Sequence, residues 1–180
     1  TGQMQAAAGT DFTVNDINAA TSVDLFANGL VDFEGTVSAP TITVTSSDIN
    51  VASGASLGVW GITDLLTLNA VSSEPIILGN SGLPQQPGQY VLNEAGDIQA
   101  ANIVVNAVGA DGGADPDIYT YGVKIDGSQT PGGGMSSATV NTDSSILVMG
   151  AIDYLDAAPT DTLALNAGQN IEVITDDGGS

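Results

Sequence analysis

Residues 22–59 alternate apolar and polar side chains in short runs, and this alternation constrains the fold more than any other feature of the chain. Val23 and Leu25 make one alternating pair, Val31 and Phe33 a second, Ile42 and Val44 a third, Ile49 and Val51 a fourth. Thr, Ser, Asp or Asn fill many of the positions between, and Gly, Asn or Pro interrupts every few residues. A period of two puts one face of each strand in a core and the other in solvent. The runs are too short for a wide open sheet. Many short strands of even spacing are most simply accommodated by a chain wound on itself, each coil laid on the one before.

The rest of the sequence agrees with that geometry. The chain has 180 residues, 42% of them hydrophobic, which is enough for one domain with a real core. Aromatics are only 4%. The core must therefore be built from Val, Ile, Leu and Ala, which suits thin stacked layers better than a globular centre around large rings. Glu, Lys, Arg and Gln are scarce while Thr, Val, Ile, Asn, Gly and Ser dominate, so strands are expected almost throughout. Helical turns are expected only around 63–66 and 151–157.

Internal repeats set the period. The unit apolar-x-apolar-Asn-Ala recurs at 66–70, 103–107 and 163–167, with a degenerate copy at 25–28. Its asparagines, Asn28, Asn69, Asn106 and Asn166, are 41, 37 and 60 residues apart, near two, two and three multiples of about 20. A second unit, Asp-Ile-(Asn/Gln)-x-Ala, occurs at 16–20, 48–52 and 97–101. The expected architecture is an all-β solenoid spanning 1–180 as a single segment, with about 20 residues and two or three strands per coil. About nine coils would make a rod on the order of 40 Å long. The asparagines are expected to end strands, tolerate left-handed backbone and ladder their amides from coil to coil. Gly- and Pro-rich stretches within 81–96 and 110–136 are expected to contain loops that project from the coil.

Charge narrows the function. There are 21 acidic residues against one basic residue, Lys124, and the net charge is −20. Few carboxylates can find a cationic partner within the chain, and self-repulsion favours an elongated shape, salt or bound cations. Nucleic acid is not an expected partner, because phosphate contacts need Lys or Arg. No stretch approaches the roughly 20 apolar residues of a membrane-spanning helix, so membrane insertion is not expected. Without Cys or His there is no disulfide framework, no thiol or His-based nucleophilic triad and no zinc-type ligand set. The start lacks a basic n-region and the end breaks off within the repeat pattern, which points to an excerpt of something longer.

The acidic residues offer two candidate calcium loops, since Ca²⁺ takes six to eight oxygens from carboxylates, backbone and water. One is Asp111, Asp115 and Asp117; the other is Asp153, Asp156 and Asp161. Neither follows the twelve-residue EF-hand pattern, and no cofactor is required by the reading. Paired carboxylates of a glycosidase are the remaining enzymatic option. A β-helical enzyme on acidic polysaccharide would need basic residues to hold its substrate, and this chain has one. The chain is therefore expected not to be an enzyme.

The segments DIYTYGVKIDGSQ, SSATVNTDSSILVMGAI and DTLALNAGQNIEVITDDGGS resemble the repetitive stalks of filamentous-haemagglutinin-like bacterial exoproteins. So do DFTVNDINAATSVDLFANGLVDFEGTVSAPTITVT and GDIQAANIVVNA, and the resemblance covers about residues 11–178. These are the secreted β-helical proteins of two-partner secretion and the related autotransporter passengers. The resemblance implies a right-handed parallel β-helix, export through an outer-membrane β-barrel partner, and a place outside the cell or on its surface. It carries no common catalytic residues. The expected function is a non-catalytic structural and adhesive segment, forming a rod or extracellular filament for cell adhesion or biofilm matrix. Expected partners are further copies or a continuing chain joined head to tail, and a host or matrix glycan. The alternatives are a donor-strand-exchanged β-sandwich pilus subunit, or a polysaccharide-active β-helix enzyme or carbohydrate-binding module.

Overall fold

The computed structural model describes residues 2–79, 91–94, 97–121, 124–126, 136–150, 153–155 and 162–174. The chain is all-β, with one short 3-10 turn, Ala110–Gly112, among the described residues, and every described strand pair is parallel. The first three strands, Gln3–Ala8, Phe12–Val14 and Ile17–Asn18, start three different sheets. The next three, Ser22–Ala27, Leu30–Phe33 and Thr36–Ser38, each pair with the strand three places earlier. One circuit of the chain thus lays one strand in each of sheets A, B and C, and the next circuit repeats it. A sandwich of two antiparallel layers is not what these strands form.

Sheet A has seven strands among the described residues: Gln3–Ala8, Ser22–Ala27, Thr41–Ser46, Leu65–Ser72, Asn102–Gly109, Ser137–Thr142 and Thr162–Ala167. They follow one another in chain order without a crossover. Sheet B departs from that order once. Strand Val91–Glu94 lies between Asp48–Val51 and Ile76–Gly79, although it follows both in the chain. Sheet C pairs Ile17 with Val37, Val37 with Leu57, and runs on through Ile98. Further along, Lys124–Asp126 and Asp153–Leu155 form a separate two-stranded sheet.

The alternation read from the sequence sorts the two faces. All eight residues of the four pairs, Val23 and Leu25 through Ile49 and Val51, are buried. Because the strands are parallel and in register, like side chains stack. Ile76, Ile118, Ile146 and Ile171 occupy one column of sheet B. Leu25, Val44, Leu68, Val105, Val140 and Leu165 occupy one of sheet A. Burying each such side chain contributes about 1.5–3 kcal/mol, and β-branched residues fit the pleated surface best. At the last described circuit Leu163, Ile171 and Val173 keep the inward columns but are exposed.

Circuit length varies along the chain. Neighbours in sheet A are 19 residues apart near the start, then 24, 37, 35 and 25. The period near 20 therefore holds only for the early circuits. Seven strands at about 4.8 Å span roughly 29 Å, shorter than the nine-coil expectation because the later circuits use more residues each. The helical turn expected at 63–66 gives way to a strand at Leu65 and Leu66, which open Leu65–Ser72; of the one expected at 151–157, residues 153–155 form the strand Asp153–Leu155 and the rest lie outside the described residues. What precedes Leu65 is a tight turn in which Thr63 N–H donates to Val59 O at 2.9 Å. Of the segments expected to hold projecting loops, 81–90, 95–96, 122–123 and 127–135 lie outside the described residues. Within them Val91–Glu94, Ile118–Tyr121 and Lys124–Asp126 are strands.

Among the described residues two buried hydroxyls, Ser46 Oγ and Thr120 Oγ1, have no hydrogen-bond partner. Ser46 sits in an inward column with Ala70, and Thr120 lies between Leu78 and Val148. An unsatisfied buried hydroxyl costs about 1–3 kcal/mol. Ser46→Ala and Thr120→Val are each expected to raise stability by about 1 kcal/mol in urea titrations at unchanged slope. Thr142 is the contrast. Its hydroxyl donates to Pro116 O at 2.8 Å and accepts from Ser144 N–H at 3.0 Å, so Thr142→Val is expected to destabilise by a similar amount.

Candidate functional site

The outer face of sheet A carries the most regular polar array in the described structure. Asn69, Asn106, Asn141 and Asn166 occupy one column on four successive strands. Asn106 Nδ2 donates to Asn69 Oδ1 at 2.9 Å, Asn141 Nδ2 to Asn106 Oδ1 at 2.8 Å, and Asn166 Nδ2 to Asn141 Oδ1 at 2.8 Å. Asn69 Nδ2 closes the run on Thr45 Oγ1 at 3.0 Å. An amide has two donors and two acceptor lone pairs. Each laddered Asn spends one N–H on the strand before, and every one but the last is bonded by the strand after. One N–H and one lone pair per step remain available for something outside the protein.

The expected amide ladder exists, but its membership and setting differ from the sequence reading. The asparagines lie inside strands, and Asp111 is the one described non-glycine residue with positive φ. Their side chains point outward because Leu68 and Ala70, on either side of Asn69, point in. Asn28 is not a member: register puts Phe26 in the ladder column, opposite Thr45. Asn28 sits on the turn beyond Ser22–Ala27 and donates from Nδ2 to Gly9 O at 3.5 Å. Asn141 is the member the repeat search missed. Its context, Ala138-Thr139-Val140-Asn141-Thr142, replaces the Leu/Ile and Ala of the repeat, though its apolar-x-apolar-Asn core is legible once the register is known. Asn106 to Asn166 is thus two circuits rather than three, and Asn69 to Asn106 is one rather than two. The second repeat also divides: Ile17 and Ile98 share sheet C, whereas Ile49 lies in sheet B.

Asn106→Ala removes two rungs of the ladder. The loss is expected to be about 1–2 kcal/mol, because each neutral hydrogen bond is worth about 1 kcal/mol and the site is only half-buried. Asn106→Gln should not rescue it, since the longer side chain cannot keep its amide in plane with Asn69 and Asn141. Thermal unfolding of the three proteins checks both statements.

Two hollows open on this column. One, of about 350 Å³, is lined by Gln5, Ala6, Ala7, Asp24 and Phe26. The other, of about 420 Å³, is lined by Asn106, Asn141, Asn166, Asp115 and Asp143 among others. Phe26 is 43% exposed; its register neighbours Ala7 and Thr45 are small and leave the ring open. Asp24 accepts from Gln5 Nε2 at 3.4 Å.

Charge is distributed unevenly. The seven strands of sheet A carry a single carboxylate, Asp24, although the chain has 21 acidic residues. The outward positions of sheet B include Asp32, Asp48 and Glu172. Several carboxylates sit on turns and bond the next circuit. Asp11 Oδ1 accepts from Leu30 N–H at 2.8 Å, and Asp16 Oδ1 from Thr36 N–H at 2.9 Å. Backbone donors one circuit on thus take the place of the missing cations.

Two of the candidate calcium ligands are used in the same way. Asp117 Oδ1 accepts from Ser144 Oγ at 2.6 Å and Ser145 N–H at 3.0 Å. Asp115 Oδ1 accepts from Gly109 N–H at 3.1 Å, and its Oδ2 from Asp143 N–H at 3.4 Å. Asp111 is exposed on the 3-10 turn. Asp153 begins a strand, and Asp156 and Asp161 lie outside the described residues. Among the described residues no three acidic side chains converge as a metal-binding group, and no helix is long and apolar enough to cross a membrane. Compared with protein-family models, curated proteins and solved structures, the chain shows no match.

Proposed function

We propose that this chain is a non-catalytic structural and adhesive segment of a secreted bacterial surface protein, a stiff rod built as a right-handed parallel β-helix. The observation that carries the reading is the pairing rule: strand after strand bonds in parallel to the strand one circuit earlier, with like residues in register. Stability then comes from nearest-neighbour stacking and grows with the number of circuits, which is the behaviour of a spacer or filament. The net charge of −20 favours the extended form and keeps rods apart in solution. The reading calls for no cofactor.

Its partners are of three kinds. An outer-membrane barrel would export the chain unfolded, and the absence of cysteine leaves no disulfide to obstruct threading. Further coils, in a longer chain or in a second copy, would cover Leu163, Ile171 and Val173 and pair the free strand edges. A host or matrix glycan would be the adhesive target. Electron microscopy of the purified chain should show rods, and oriented samples should diffract at about 4.8 Å along the rod. Round particles with no such spacing would overturn the reading.

A further inference from the structure

We infer that the outer face of sheet A binds a neutral, polyhydroxylated polymer, a glycan without charge, laid along the column from Phe26 to Asn166. The inference rests on the adhesive reading above and adds to it the face, the register and the charge class of the ligand.

The argument starts from charge. On a chain of net charge −20 an anionic polymer is repelled wherever it approaches. A cationic partner would be drawn to the acid-bearing turns and to sheet B, where Asp32, Asp48 and Glu172 lie. Sheet A offers either of them little, since from Thr41–Ser46 through Thr162–Ala167 its strands carry no charged residue. Between Asp24 at one end and the turn carboxylates Asp115 and Asp143 at the other, what the face offers is hydrogen-bonding capacity without charge. The laddered asparagines keep one N–H and one lone pair per strand, and Thr43, Thr67 and Thr139 add hydroxyls in the neighbouring outward column. A sugar hydroxyl is both donor and acceptor and matches such a row. A ligand that could not pair these groups would leave them desolvated at a cost.

The aromatic residue completes the match. Leu25 and Ala27 face the core, so Phe26 faces solvent, 43% exposed as a residue. The apolar C–H face of a pyranose covers such a ring, while Asp24 and Gln5, which line the same hollow, accept and donate to its edge hydroxyls. The second hollow lies at the other end of the column, against Asn106, Asn141 and Asn166, and Asp115 and Asp143 line it too, where carboxylates accept from sugar hydroxyls and repel an anionic chain. Five strand spacings separate Phe26 from Asn166, about 24 Å, so the ligand is a chain of several sugars rather than a monosaccharide.

Affinity electrophoresis of the whole chain in gels containing hydroxyethyl cellulose, galactomannan or alginate tests this. Retardation is expected with at least one of the two neutral polymers and not with alginate. Phe26→Ala and Thr67→Asp, both at outward positions that leave the core intact, should each weaken it at least tenfold. Failure of the wild type to be retarded by either neutral polymer, while microscopy still shows rods, overturns the inference and leaves the rod reading standing. Retardation by alginate alone, or full binding by both variants, overturns it as well. So does a dimer in light scattering that Thr67→Asp abolishes, which would assign the face to a second copy of the chain.

Discussion

Phe33→Ala is expected to lower stability by about 3–5 kcal/mol. Among the described residues Phe33 is the largest side chain with no solvent exposure. It stands on Leu30–Phe33 with Val14 and Val51 as register neighbours in the strands on either side. Both neighbours are buried valines, and neither can reach across to fill the space a phenyl ring leaves. The strands are held at a fixed spacing by their backbone hydrogen bonds, so the site cannot collapse as a loosely packed core would. The cost is therefore the lost transfer energy plus a cavity term. At about 2–4 °C per kcal/mol for a chain of this size, the thermal midpoint should fall by roughly 6–20 °C. Phe33→Leu, which keeps most of the volume, should recover at least half of the loss. A loss below 1 kcal/mol for Phe33→Ala would mean that the ring is not in the stack.

The second large effect is expected at a residue with no side chain. Gly58 has φ of +89°, and a Cβ there would strike the carbonyl of Gln99. This corner joins three circuits: Gly58 N–H donates to Val37 O at 2.9 Å, and Gln99 N–H donates to Leu57 O at 2.9 Å. Gly54, a few residues earlier, has φ of +86° but nothing within 4 Å of the position a Cβ would take. The two glycines thus separate backbone strain from stacking. Gly54→Ala should cost only the left-handed penalty, about 1–2 kcal/mol. Gly58→Ala should cost that and the displacement of the next circuit as well, about 3 kcal/mol or more. Urea denaturation of the two variants measures the difference. Equal losses would show that no backbone lies over Gly58, and with it the close passage of one circuit over another would fall.

The same distinction governs how far the sequence could be read. The eight residues of the four alternating pairs were legible as core because strand periodicity is a local property, and all eight are buried. The circuit was not. Its length depends on how much chain is spent at the corners, and 19 residues near the start become 37 between Asn69 and Asn106. A search for a constant period therefore counted Asn28 into a column that Phe26 occupies, and passed over Asn141, which belongs. Likewise a carboxylate in a Gly- and Pro-rich turn reads as a cation ligand, because its actual partners, such as the Ser145 N–H that reaches Asp117, lie 28 residues away.

What the sequence determined by itself was the all-β character, the inward and outward faces of each strand, and a charge that leaves most acids without a cationic partner. These follow from residue type and from a repeat of two, and neither needs a distant contact. Only the tertiary structure decided which residues stack. In sheet A stacking is fixed by register between strands from 19 to 37 residues apart, and a one-residue change in a turn would shift every column at once. The outer face of sheet A, with Asp24 its one strand carboxylate, arises at that level. It is assembled from seven separate strands, each too short to reveal alone that all but one of the acidic residues lie elsewhere.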